Sequence, residues 1–220
     1  MTRTVVFIHT IPQLLPVFAG KAAELLPGVR VLHVLDEPLL ERVRQRGGLA
    51  AEDSARLAAH VAEAAAIGAE AALVTCSTVS PAVDLIDSAP IPVLKIDAAM
   101  IVEAVRLGPR IGVIATSRTT LGPTRRMLDA EAKRAGRDIQ TEMLFVERAL
   151  TALLEGDDET HDHLVRNAVC DLARRNDVVM LAQASTARML ESLPQEERPA
   201  PILSSPELAL RQLREILALK

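Results

Sequence analysis

The chain has no tryptophan and no tyrosine, and its phenylalanines are Phe7, Phe18 and Phe145. Base-stacking platforms are therefore almost absent, and a formal charge of −4 leaves no basic field to hold a phosphate backbone. Nucleic acid is not an expected partner. Cysteine is scarce as well: Cys76 and Cys170 are too few for a disulfide scaffold, and their spacing matches no zinc pattern. No apolar run is long enough to span a bilayer. Thr4 to Ile8 is too short for the apolar part of a signal peptide and is soon followed by Pro12. The expectation is a reduced, cytoplasmic protein with no zinc site and no membrane partner. Three enzyme signatures are also missing. There is no G-x-G-x-x-G dinucleotide turn, no G-x-S-x-G hydrolase elbow, and Ala82 stands where a cysteine phosphatase needs an arginine.

What is present is aliphatic. Ala, Leu, Val and Ile fill short buried-type runs that alternate with segments of helical spacing. Strands are expected at Val5–His9, Val29–Val34, Ala71–Thr75, Ile91–Ile96, Arg110–Ala115, Ile139–Phe145, Val178–Leu181 and Ile202–Leu203. Helices are expected between them, stopped by Gly28, Gly47, Gly68, Gly108 and Gly136, and a surface loop from Pro194 to Pro201. Apolar strands alternating with helices predict an α/β protein whose mainly parallel sheets are covered on both faces. Ligands in such folds sit at the carboxyl ends of the strands.

One of those ends carries Val74-Thr75-Cys76-Ser77-Thr78-Val79-Ser80-Pro81. A thiol after a buried strand, with hydroxyls around it and a helix start behind it (Ser80 as cap, Pro81 at the first helical position), has a physical reason to be reactive. Free N–H groups and the helix dipole favour the thiolate and lower its pKa below about 8.5. The alternative is a cysteine that packs as a small hydrophobe.

The loops repeat. Thr10 and Thr116, each just past a strand, are 106 positions apart, and Cys76 and Gln183 are 107 apart. Two similar halves are expected, residues 1–97 with 205–220 and residues 98–204, each supplying a hydroxyl-rich loop to a cleft between them. Thr10, Ser77, Thr78, Thr116, Thr119, Thr120, Ser185 and Thr186 all fall at expected strand ends or helix starts. Singly each fits a helix cap; as a set they fit an oxyanion site.

In these stretches the chain resembles the aspartate/glutamate racemase superfamily, which includes hydantoin racemases, maleate isomerases and arylmalonate decarboxylases. The likeness is carried by Val74-Thr75-Cys76-Ser77-Thr78, by Ile111-Gly112-Val113-Ile114-Ala115-Thr116 with Thr119-Thr120, by Phe145-Val146-Glu147, and by Asp177 to Ser185. It implies two pseudosymmetric three-layer αβα halves, the active site in the cleft between them, a small carboxylate as substrate, and no cofactor. A homo-oligomer is expected on the same grounds. Racemising members place a cysteine on each face of the substrate carbon. Cys76 matches the first, but Gln183 stands where the second is found, Ser185 where some glutamate racemases have a histidine, and His9 where they have an aspartate.

An amide is no base at neutral pH, so the two-thiol mechanism is not available. Three chemistries remain for Cys76: racemisation or isomerisation with His9 as a second acid/base, decarboxylation with proton delivery to an enediolate, and covalent cis–trans isomerisation. Outside enzymology, the chain reads as a carboxylate-binding regulatory protein that lost the chemistry. Phe145 falls within an expected strand and leaves the strand-end loops without a large aromatic, which favours a small aliphatic acid. Glu147, Asp36 and Asp97 read as helix-start residues, His60 and Cys170 as packing positions, and His161 and His163 as solvated. Lys95, inside an apolar strand, either pairs with an acid such as Asp97 or reaches the ligand.

Overall fold

The computed structural model describes residues 2–194, 196 and 198–219, without the side chains of residues 185, 188, 191 and 192. The chain forms two compact units, one running to Ala98 and resuming at Pro206, the other Ala99–Ser205.

The first unit contains β1 (Thr4–His9), α1 (Leu14–Leu25), β2 (Arg30–Leu35), α2 (Glu37–Arg46), α3 (Ala51–Ala66), β3 (Ala71–Val74), a 3₁₀ helix at Ser80–Leu85, and β4 (Val93–Lys95). Its sheet has the order β2-β1-β3-β4, and every pairing is parallel. The second unit holds most of α4 (Ala98–Leu107), then β5 (Arg110–Ala115), α5 (Arg118–Ala135), β6 (Gln140–Phe145), α6 (Glu147–Glu155), α7 (Asp158–Ala173), β7 (Val178–Leu181), a second 3₁₀ helix at Ala184–Ser192, and β8 (Ile202–Ser204). Its sheet repeats the plan as β6-β5-β7-β8, again all parallel. The last helix, α8 (Ser205–Ile216), belongs almost wholly to the first unit.

The α/β class and the repeat read from the sequence are the observed ones. Even the register repeats: Val5 pairs with Ala71, and Ile111 with Val178. Side-chain alternation then sorts the core of the first unit into two faces. Val6, Ile8, Ala72 and Val74 pack under Leu39, Val43, Leu57 and Val61 of α2 and α3, in the cluster that also holds Cys76 and Val79. Phe7 and His9 point the other way, toward Phe18 of α1, with ring centroids 5.9 and 5.5 Å from it. In the second unit Ile114, Val179 and Leu181 pack under Val165, Val169 and Leu172 of α7 in the same manner.

Two expected helices are of a different kind. The segments after Cys76 and after Gln183 are 3₁₀, not α. The first is six residues long, and its entry is tightened by Val79 N–H and Ser80 N–H both donating to the Cys76 carbonyl. Ser80 does not cap it; the cap position is Val79, and no side chain serves there. The expected loop from Pro194 to Pro201 includes Gln195 and Glu197, which lie outside the described residues. Among the described residues no helix is long and apolar enough to cross a membrane.

Candidate active site

Parallel strands end together, so the residues just past β1 and β3 meet. Thr75 N–H donates to the Ile8 carbonyl, carrying the β1–β3 ladder one step beyond the strand and setting Thr10 beside Cys76. Cys76 is 8% exposed. The Thr10 hydroxyl and the N–H groups of Thr78 and Val79 turn toward its sulfur. The hydroxyls of Thr10 and Ser77 are buried and have no oxygen or nitrogen partner. A thiol, the hydroxyl and N–H donors turned onto it, and the buried, unpartnered hydroxyl of Ser77 thus share one strand-end corner. That is the chemistry of a site for an oxyanion next to an acid/base.

The expected depression of the Cys76 pKa is not found. Burial pushes the thiol up and outweighs the donors from Thr10, Val79 and Thr78, and the nearby Asp97 carboxylate pushes it the same way. The helix-dipole argument fails because a short 3₁₀ turn replaces the expected helix and the sulfur is out of water. The resting thiol is protonated.

His9 lies on the other face of the sheet. It is fully buried, stacked on His33 at 5.1 Å between ring centroids, and both of its ring nitrogens are engaged: Nε2 with His33 Nδ1 at 2.9 Å, Nδ1 with the Thr75 hydroxyl at 2.8 Å. Burial, with His33 adding to it, pushes its pKa down to about 4, so the ring is neutral. It has no open nitrogen to present to a substrate and serves to hold Thr75, the residue before Cys76.

The second unit builds the same corner with other groups. Gln183 Oε1 accepts from Thr116 N–H at 2.5 Å, from the Thr116 hydroxyl at 2.9 Å and from Ser117 N–H at 3.2 Å. Thr116 thus meets Gln183 as Thr10 meets Cys76. Ser117 bonds the Thr119 hydroxyl at 2.8 Å, Thr120 is buried in the first turn of α5, and the Thr186 hydroxyl donates to the Gln183 carbonyl at 2.6 Å. Thr186 is therefore a turn-forming hydroxyl. The side chain of Ser185 lies outside the described residues. At the end of β6, Phe145 carries the Arg118 guanidinium 4.4 Å above its ring, and Arg118 reaches Glu147 at 3.7 Å. Phe145 is the last residue of β6, inside the strand as the sequence reading placed it.

Residues 17–213 match the sequence pattern of the family described as Asp/Glu/Hydantoin racemase. The chain belongs to that family. No curated protein matches it in sequence. Among solved structures, a glutamate racemase from Bacillus anthracis shares 19% identity over 99% of this chain and 82% of its own, with a TM-score of 0.72. The aspartate racemase of Picrophilus torridus shares 12% over 97% and 93%, TM-score 0.76. An allantoin racemase from Klebsiella pneumoniae shares 17% over 99% and 88%, TM-score 0.71. These three share the fold of this racemase-family chain.

Several side chains differ from their sequence reading. Lys95 does pair with an acid, but the acid is Asp84, at 2.8 and 2.9 Å, in place of Asp97. Asp36 does cap α2 through Leu39 N–H at 3.1 Å, but it also binds Arg56 at 2.5 and 2.9 Å and His60 at 2.7 Å. His60 is thus a hydrogen-bonding partner, not a packing residue. His161 is fully buried, bonded through Nδ1 to Asp162 at 2.7 Å, where a solvated side chain was expected. Among the described residues no group of three or more His, Cys, Asp and Glu side chains could hold a metal ion. The sequence reading also missed Asp97 as anything but a helix-start residue; it is 3% exposed, with both carboxyl oxygens against the Ser80 hydroxyl. Its place past β4, as Cys76 stands past β3, was the available signal.

Proposed function

We propose that the protein is a cofactor-independent enzyme of isomerase type that moves a proton at the carbon next to the carboxylate of a small substrate, with Cys76 as the acid/base. The observation that carries this reading is the corner around Cys76, where the Thr10 hydroxyl and the Thr78 and Val79 N–H groups meet the sulfur and the hydroxyl of the next residue, Ser77, is buried without a partner. The carboxylate takes those hydroxyls and nearby N–H groups, which stabilise it further as it becomes an enediolate. The resting thiol loses its proton to water; the thiolate then takes the proton from the substrate C–H, leaving the bond pair as the enediolate, and the thiol so formed returns a proton to the carbon, re-forming C–H and the thiolate. The second unit's Thr116, Thr119, Thr120, Gln183 and Ser185 are its own substrate-binding candidates in this reading. Gln183 supplies no base. The enzyme is cytoplasmic and homo-oligomeric in the same reading.

A second reaction on the same corner, decarboxylation, is favoured by the protonated resting thiol. Loss of carbon dioxide leaves the bond pair on carbon as an enediolate, Cys76 delivers the proton, and the thiolate regains one from water. Covalent cis–trans isomerisation is the least supported, because it needs a standing thiolate.

The test is proton exchange in heavy water, followed by proton NMR of α-amino acids, hydroxy acids and substituted malonates. Cys76→Ala loses exchange or carbon dioxide release by about 10²–10⁴-fold, the range for removal of a general acid/base. Cys170→Ala retains it. Equal activity in the two variants would sink the reading. Carboxylates that raise the melting temperature without exchanging or losing carbon dioxide would make the protein a binding module instead.

A further inference from the structure

Asp97 is a buried carboxyl group that the proposed proton transfer does not use. It lies two residues past β4, 3% exposed, with its two oxygens 3.0 and 3.1 Å from the Ser80 hydroxyl. Ser80 in turn donates its N–H to the Cys76 carbonyl at 2.8 Å, and its hydroxyl also reaches the Ser77 carbonyl at 3.5 Å. A serine hydroxyl has one proton to donate, and here it has two kinds of acceptor. When Asp97 is ionised, Ser80 donates to the carboxylate. When Asp97 is protonated, the carboxyl O–H donates to Ser80 Oγ, and the serine proton turns to the Ser77 carbonyl inside the Cys76–Ser80 turn.

The charges around the pair are few. Ser80, its own backbone N–H, Lys95 and Asp84 act on Asp97, and the Lys95 ammonium is already held by Asp84. The Thr10 hydroxyl, the N–H groups of Thr78 and Val79, and Asp97 act on Cys76. Burial pushes Asp97 up to about 6, with Ser80 and Lys95 opposing, so both of its states are accessible near neutrality.

The geometry points to Asp97 as a positioning residue for Cys76: through Ser80 it sets the hydroxyl orientation within the Cys76 turn. Its carboxylate charge adds to the burial that holds the thiol protonated. This rests on the reading of Cys76 as the acid/base, but its test does not require turnover. The experiment uses the full chain carrying Cys170→Ser, so that Cys76 is the one thiol. The thiolate is followed by its ultraviolet absorbance, which no tyrosine or tryptophan obscures, and by alkylation with iodoacetamide across pH.

The parent shows a lower inflection near pH 6 from Asp97 and a higher one from the thiol. In Asp97→Asn the lower inflection disappears, and at a fixed pH below the thiol inflection the thiolate fraction rises, as loss of a nearby negative charge requires. Ser80→Ala keeps the charge and removes the hydroxyl that favours the carboxylate, so its lower inflection moves to higher pH. A profile for Asp97→Asn that superimposes on the parent's overturns the proposal, as does a Ser80→Ala profile whose lower inflection is unmoved. If Asp97→Asn fails to fold, the Ser80→Ala result alone decides. Coupling of the two groups in a chain that exchanges no carboxylate would count against the proposed reaction, not against this one.

Discussion

Gln183 places its amide oxygen 2.9 Å from the Thr116 hydroxyl, where the equivalent threonine of the first unit, Thr10, faces the sulfur of Cys76. The same strand-end corner thus holds a titratable group in one unit and a fixed acceptor in the other. The repeat that built two equivalent positions has been given two different chemistries.

That contrast has a measurable energetic side. Gln183→Leu leaves the Thr116 and Ser117 N–H groups and the Thr116 hydroxyl without their common acceptor, at a cost of about 1–3 kcal/mol. Gln183→Glu keeps an acceptor there and recovers most of that loss. Urea unfolding of the two variants compares them; equal stability would mean that water replaces the amide at no cost.

The acid dependence of stability contains two opposing contributions. His9 falls from 6.5 to about 4 on folding, so the unfolded chain binds its proton first and stability is lost as pH drops through that window. His33, also lowered by burial, acts in the same direction. Asp97 rises from 3.8 to about 6, so the folded chain holds its proton and stability is lost as pH rises through nearly the same window. The effects of His9 and Asp97 are each roughly 3 kcal/mol and largely cancel in the parent. Asp97→Asn exposes the histidine slope, with stability rising from pH 4 to 6; His9→Phe exposes the opposite slope. Unfolding free energies of parent and variants at each pH check both signs.

Asp36 anchors the β2 end through a network that is exposed on one side. Burial disfavours its charge but is outweighed by Arg56, His60 and the Leu39 N–H, which hold it down to about 2. Its side chain is 1% exposed and that of Arg56 41%, so Arg56→Ala strands a buried carboxylate rather than removing a surface pair. A loss of about 1–3 kcal/mol at neutral pH is expected, shrinking as pH falls and Asp36 becomes protonated. A loss that is independent of pH would mean that Arg56 contributes packing and not charge.

Most of the architecture was legible because its signals are local. Apolar runs such as Val178–Leu181, helix stops such as Gly47 and Gly136, and the near-constant offset between Thr10 and Thr116 or Cys76 and Gln183 each survive within short windows. The 3₁₀ helices were not legible, since the residues after Cys76 satisfy α-helical spacing as well as they satisfy a tighter turn. The buried partners of Asp36 and Asp97 were hidden for another reason: a capping carboxylate and a networked one look alike until the third dimension supplies Arg56, His60 and Ser80.

The sequence by itself determined the α/β class, the internal repeat, the family, and the presence of one thiol where its repeat has an amide. These follow from residue type and order. Only the tertiary structure decided what His9 and Cys76 can do. They end neighbouring parallel strands, yet side-chain alternation turns His9 into the aromatic cluster of Phe7 and Phe18 and leaves Cys76 on the opposite face, beside Thr10. Burial then sets each group's charge, against the dipole for the thiol and toward neutrality for the imidazole. Desolvation depends on every element packed around a group, and no short stretch of sequence contains it.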